Sequence, residues 1–269
     1  MRLSCSVTCL PKHALVEAMQ AISRAGFAAV EVCSAFLREA HAHDTEAVDH
    51  LRRLLERSDL TISSITIPPL SATSVEDLPH NIEIIHREMQ LARAAGLSAV
   101  NVGAGDRGRQ SIELLTHGLR EIIAIARDLG MQVNLANARG SRIQLPSDIR
   151  YVLAEASAER VRLMLDAGQF HSVAVNPCDV LCEFPGRIGL IHLTDQIGRK
   201  PVPIGRGEMN VPAIVERAFR TDYAGWIVVA NPVPDDADPV HYLREAKAYL
   251  ERLAPGWLTG ADDRNPTGS

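Results

Sequence analysis

Apolar residues fall into two rhythms along the chain. Short, nearly unbroken apolar runs, such as Val161-Arg-Leu-Met-Leu and Ile188-Gly-Leu-Ile, give way to longer stretches in which apolar residues return every third or fourth position. Ile112, Leu115, Leu119, Ile122, Ile123 and Ile125 are an example of the second kind. The first rhythm suits strands buried on both faces, and the second suits helices that cover them. The pattern predicts strands near 3–8, 28–34, 61–67, 98–103, 132–137, 161–166, 188–193 and 225–231. It predicts helices near 12–25, 44–57, 78–95, 110–129, 147–157, 173–183, 211–220 and 238–252.

The joints between the two rhythms repeat. Ala21-Ile-Ser-Arg-Ala-Gly-Phe-Ala-Ala-Val-Glu-Val, Leu91-Ala-Arg-Ala-Ala-Gly-Leu-Ser-Ala-Val-Asn-Val and Ala126-Arg-Asp-Leu-Gly-Met-Gln-Val-Asn-Leu each end a helix on glycine and begin a β-branched run. Glycine accepts the left-handed conformation that stops a helix and redirects the chain. Eight βα units of roughly 30–40 residues imply a parallel sheet with crossover helices, closed into a single (β/α)8 TIM barrel. The 269 residues would also accommodate two domains, but no internal linker interrupts the pattern. The barrel is expected over 1–259, followed by a polar, Gly/Asp/Asn/Pro-rich tail over 260–269 that is expected to be disordered.

Composition narrows the class of partner. With 28 Lys+Arg against 33 Asp+Glu, a net charge of −5 and no basic block, nucleic acid is not an expected partner. No run of ~20 apolar residues offers a membrane span, and the first residues lack the apolar stretch of a signal peptide. Five scattered cysteines, Cys5, Cys9, Cys33, Cys178 and Cys182, include no Cys-x-x-Cys pair. They argue against a disulfide framework or a thiolate zinc site. The cytoplasm is the expected compartment, and a small molecule the expected partner, with a homo-oligomer compatible.

In such a barrel the active site lies at the C-terminal ends of the strands. Strand six ends in Asp166 and strand seven in His192, and a carboxylate beside an imidazole suits acid–base work or a metal. Glu31 and Asn101, and more weakly Ser64 and Thr66, point by register into the barrel, where they would meet substrate hydroxyls or one another. Arg199, Lys200 and Arg206 lie among Gly198, Gly205 and Gly207 after strand seven, which suits an anionic substrate group as well as a solvated loop. Gly103-Ala-Gly105-Asp-Arg-Gly108 matches a dinucleotide fingerprint in form. The following strand, however, lacks the acid that would hold a ribose, and a tight glycine turn is the better reading. His41 and His43, after strand two, are read as exposed rather than as a metal pair.

The chain resembles a known family over the whole barrel, most specifically in its last third. His192-Leu-Thr-Asp195-Gln-Ile-Gly198-Arg199, Gly205-Arg-Gly207-Glu208-Met-Asn210, Asp166-Ala-Gly-Gln169 and Tyr223-Ala-Gly-Trp226 are similar to motifs of the xylose isomerase-like sugar isomerases and epimerases. The closest resemblance is to the hydroxypyruvate isomerase group. That resemblance implies a divalent metal (Mn, Mg, Co or Zn) held by Glu, Asp, His and Glu at the ends of strands five to eight, with the two glutamates moving a proton between carbons. Here Ala136 and Ala230 occupy the glutamate positions, each followed by asparagine, while Asp166 and His192 are kept and Gln169 replaces a common histidine. Only Asp166 and His192 are left as metal ligands, unless Asn137, Asn231 or Gln144 contributes.

The expected activity is isomerisation, epimerisation or elimination on a small sugar, keto acid or polyol through an enol. Asp166 and His192 would be the acid–base pair, and Arg199, Glu208, Glu31, Asn101 and Gln169 would contact the anionic or polyhydroxylated substrate. The alternative is a barrel that works without metal, either a ligand-binding protein or a cyclase or rearrangement enzyme of secondary metabolism.

Overall fold

Gly26, Gly96 and Gly130 adopt positive φ values of 91°, 89° and 65°, and at each the chain leaves a helix and starts a strand within three residues. These are the joints predicted from the repeat. The computed structural model describes residues 1–40, 44–156 and 160–256. The 260–269 tail and the pair His41/His43 lie outside the described residues.

Among the described residues the chain forms ten strands. They are β1 (Arg2–Ser6), β2 (Ala29–Cys33), β3 (Thr61–Leu70), β4 (Ala99–Ala104), β5 (Gln132–Ala136), β6 (Val161–Asp166), β7 (Ile188–Leu193), β8 (Gln196–Ile197), β9 (Lys200–Pro201) and β10 (Trp226–Val229). Eight of them close a parallel barrel in the order β1-β10-β7-β6-β5-β4-β3-β2. Closure is direct, since Arg2 pairs with Trp226 and Cys5 with Val229. The remaining two, β8 and β9, form a small antiparallel hairpin in the loop after β7; the apolar rhythm gave no sign of it because two-residue strands carry no period.

The helices coat the barrel through one apolar stripe each. On Ile112–Asp128 the buried residues Leu115, Leu119, Ile122 and Ala126 recur at three- and four-residue steps, and each buried Leu or Ile contributes about 1.5–3 kcal/mol. Two helical readings need correction. A short helix, Ala167–His171, that was not expected comes first, and the helix expected over 173–183 is confined to Pro177–Glu183. Asp166 caps the first by accepting from Gln169 N, and Asn176 caps the second ahead of Pro177, whose missing N–H favours a helix start. Between them Ala174 takes a left-handed φ of 57°. In addition, Ser34–Ala40 forms a helix immediately after β2, where the apolar rhythm predicted none.

The barrel interior is divided. Met164, Leu190 and Val228 form a small apolar plug, with Ala136 and Trp226 packed against it. The rest of the lumen is polar: Ser4, Glu31, Ser63, Ser64, Asn101, Asn134 and His192 are all buried. Buried polar groups are costly unless bonded, and these bond to one another.

Candidate active site

Asp166 and His192 are register partners at the ends of β6 and β7. His192 is 7% exposed and sits between two carboxylates. Its Nε2 lies 3.0 Å from Glu31 Oε2, and its Nδ1 lies 3.8 Å from Asp166 Oδ2. Burial alone would strip the ring of its charge, but the facing carboxylates of Glu31 and Asp166 push its pKa up to about 10. His192 is therefore an imidazolium at neutral pH, with a proton on each ring nitrogen; Nε2 donates to Glu31.

Glu31, on β2, is the anchor of this line. Burial would raise its carboxyl, yet the imidazolium of His192, helped by the Ser64 and Ser6 hydroxyls, holds it below the ordinary carboxylate value. Its Oε2 also accepts from Ser64 Oγ at 2.8 Å and from Asn101 Nδ2 at 3.0 Å. Asn101 in turn accepts from Asn134 Nδ2 at 2.9 Å. Of the two alternatives read for Glu31 and Asn101, substrate hydroxyls or one another, the structure shows the mutual bond, and it adds what the sequence did not suggest, the direct bond from Glu31 to His192. It joins β2 to β7, 161 positions apart, so no local motif could have announced it.

Asp166 is fixed differently. Its backbone N donates to Asn137 Oδ1 at 2.8 Å and its carbonyl accepts from Asn137 Nδ2 at 3.1 Å. Its Oδ1 accepts from Gln169 N at 2.9 Å, which leaves Oδ2 facing His192 and the mouth. Gln169 uses its Oε1 on Arg139 N. Asn231, at the matching place after β10, accepts from Asp195 N at 2.9 Å and donates to Val202 O and Tyr242 Oη. Asn137 and Asn231 are therefore backbone clamps and not spare metal ligands, and Gln144 is taken up by Gly140 N. The repeated Ala-Asn doublet was the signal that could have suggested this shared role.

The loop after β7 is organised by Asp195, which is fully buried. Its Oδ2 accepts from Gly205 N and Gly207 N at 2.8 and 2.9 Å, and its Oδ1 from Gln196 N and Met209 N. A Cβ on Gly207 would lie 2.0 Å from that carboxylate, so the close approach requires glycine. Glu208 accepts from Gly198 N at 3.0 Å and stands 3.7 Å from His171 Nε2; in this structure it straps the β8–β9 hairpin. Arg199 is exposed on the turn of that hairpin, and no described bond ties it to Asp166 or His192. The glycine-rich 103–108 segment ends β4 at Ala104 and then turns, closed by Gly105 N donating to Gln110 Oε1 and pinned through Arg107 to Asp148 at 2.6 Å.

Ala136 packs on the lumen plug, and Ala230 continues the ladder by donating to Leu193 O, so alternation puts it on the same side as Val228. Both positions therefore offer methyl groups to the lumen. Among the described residues no group of three or more His, Cys, Asp or Glu side chains converges to hold an ion. Protein sites for zinc and similar ions use at least three side chains, and Asp166 with His192 supplies two. Among the described residues, Asp166 and His192 thus fall one side chain short of the donor set such an ion uses.

The whole chain was compared with known proteins. The family profile described as xylose isomerase-like TIM barrel matches residues 19–253. An inosose dehydratase of Clostridium botulinum (strain Eklund 17B / Type B) is 21% identical over 274 residues, covering 88% of this chain and 89% of that protein. Among solved structures, D-psicose 3-epimerase in the presence of D-fructose superposes with a TM-score of 0.80 at 14% identity, over 94% of this chain and 99% of the other. The IOLI protein, described with a bound zinc atom, gives 0.80 at 14% identity over 96% and 100%. With the closed eightfold barrel and the match over most of its length, the chain belongs to the xylose isomerase-like TIM barrel family.

Proposed function

We propose that this protein is an acid–base enzyme acting on a small polyhydroxylated ketone without a resident metal. The observation that carries the reading is the line Glu31–His192–Asp166, in which a charged imidazole is held between a buried and a mouth-facing carboxylate. Asp166 Oδ2 removes a proton from the carbon next to the carbonyl. The C–H electron pair becomes the C=C bond of an enolate, and His192 donates a hydrogen bond, then a proton, to the developing oxyanion. Placed donors of this kind are a large source of rate in enzymes. Glu31 never meets substrate; it fixes the ring and its charge. Return of the proton from Asp166 to the neighbouring carbon, while the hydroxyl that becomes the carbonyl gives its proton to the now neutral His192, gives isomerisation; protonation of the original carbon on its other face by a water molecule, with the Asp166 proton neutralising the hydroxide left behind, gives epimerisation. Departure of a β-hydroxyl with a proton, as water, gives dehydration. Relatives named as a dehydratase and an epimerase support a sugar-like substrate for this chemistry, and Arg199 is the proposed anchor for any carboxylate or phosphate on it.

The test is deuterium exchange from solvent into the α-carbon of polyhydroxylated ketones, followed by NMR with chelator-treated protein. Exchange by the parent, falling by about 10²-fold or more in Asp166→Asn, is the expected result. Exchange that survives Asp166→Asn, or that starts only when divalent metal is added, overturns the reading. The methyl groups of Ala136 and Ala230 favour one second reading, a barrel that binds a polyol and does not transform it. It predicts saturable binding with no exchange.

A further inference from the structure

The face of the barrel opposite the mouth carries a cleft of about 420 Å³ that the chemistry at Asp166 does not use. Its lining comes from the beginnings of β1, β6 and β7 and from the 221–225 turn that leads into β10. The wall is apolar at Leu181, Pro185 and Ile188 and becomes charged where Arg2 and Arg162 contribute their guanidinium groups. Arg162 is the second residue of β6 and Arg2 the first of β1, so both backbones are held by the barrel. Among the described residues neither arginine has a carboxylate within 4.0 Å, whereas Arg150 and Arg120 at the surface do.

The two groups are also preset. Arg2 Cζ lies 4.2 Å from the centre of the Trp226 ring, a stacking that fixes the plane of its fork. Both guanidinium groups line the same cleft as the half-buried Tyr223, and both oppose the upward push of burial on the pKa of its phenol. The phenol is already committed, donating to Trp226 O at 2.7 Å. Asp222, the carboxylate of the lining, is exposed on its turn. A concave wall with two like charges and an apolar floor has the composition of a small-molecule pocket. An oxyanion placed there gains paired, charge-assisted hydrogen bonds from the guanidinium forks.

We propose that this cleft binds a small organic oxyanion, its carboxylate or phosphate head between Arg2 and Arg162 and its compact apolar body against Leu181, Pro185 and Ile188. The test titrates the full chain with inorganic phosphate, phenyl phosphate and benzoate at low ionic strength and follows the amide shifts of Gly186, Gly189 and Gly225. Saturable shifts at these glycines are expected, with at least one of the two aromatic probes binding more tightly than inorganic phosphate. Which of the two is stronger identifies the preferred head group. Arg162→Ala should weaken binding roughly tenfold to a hundredfold, the loss usual for a charge-assisted pair. Arg2→Ala, a change at an exposed side chain, should do the same and serves if the Arg162 variant does not fold. Absence of shifts at the three glycines with every probe overturns the proposal. So does affinity unchanged in a folded arginine variant, or binding lost in Arg199→Ala but kept in Arg162→Ala, which would put the anion at the mouth. None of these outcomes bears on the exchange reaction at Asp166, which lies on the other face.

Discussion

Replacing Glu31 with glutamine keeps the shape of the side chain and removes the charge that faces His192. In the parent, Glu31 Oε2 takes bonds from His192, Ser64 and Asn101 at 3.0, 2.8 and 3.0 Å. In Glu31→Gln the imidazolium is left with Asp166 at 3.8 Å, and an amide N–H must share space with donors. Breaking one partner out of a buried ion pair costs about 3–5 kcal/mol. The displacement of the His192 pKa gives the same order. A rise from 6.5 to about 10 corresponds to roughly 5 kcal/mol at ~1.4 kcal/mol per tenfold change, with Glu31 the larger charged source. The sign follows from linkage. Because the folded pKa is above the unfolded one, this stabilisation is complete below about pH 6.5 and is lost as pH climbs toward 10. For Glu31, whose pKa is lowered on folding, it is present above about 4.5 and is lost as pH falls through the folded value. Urea unfolding should therefore show the gap between parent and Glu31→Gln widest near pH 5–6.5 and shrinking toward pH 9. The 15N shifts of the His192 ring should show an imidazolium in the parent at pH 8 and a lower pKa in the variant. A stability loss under about 1 kcal/mol at pH 6, with His192 ring shifts unchanged, would refute the coupling of these two residues.

Ala136→Glu combined with Ala230→Glu should build a cluster of three carboxylates with His192. Mn²⁺ or Mg²⁺ should then raise the melting temperature of the double variant and not of the parent, since a ligand of the folded state alone stabilises it; a folded double variant with no metal response would show the assignment of these two positions to be wrong. Asp195→Ala removes the acceptor for four backbone N–H groups and should cost about 3 kcal/mol or more. Amide exchange at Gly205, Gly207 and Met209 should quicken, and protection equal to the parent would count against Asp195 as the organiser of that loop. Arg199→Ala should weaken a carboxylate- or phosphate-bearing ligand of the mouth by about 1.5–3 kcal/mol, measured by calorimetry; unchanged affinity returns Arg199 to a solvated loop.

Much of the architecture is local and was legible in one dimension. The helix-stop glycines, the doubly buried strands and the three-and-four spacing of helices are each set by a few neighbouring residues, so eight βα units could be counted without coordinates. Asp166 and His192 were legible for the same reason, being polar residues that end apolar runs. The hairpin Gln196–Pro201 and the break at 172–176 were not, because caps, turns and two-residue strands leave no periodic trace. Nor were the roles of Glu208, Asn137 and Asn231, which depend on backbone groups ten or more residues away or on another strand. Above all, 161 positions separate Glu31 from His192. Their contact exists because closing the barrel brings the inward faces of β2 and β7 across one lumen, and the charge of that histidine is a property of the closed barrel rather than of either strand.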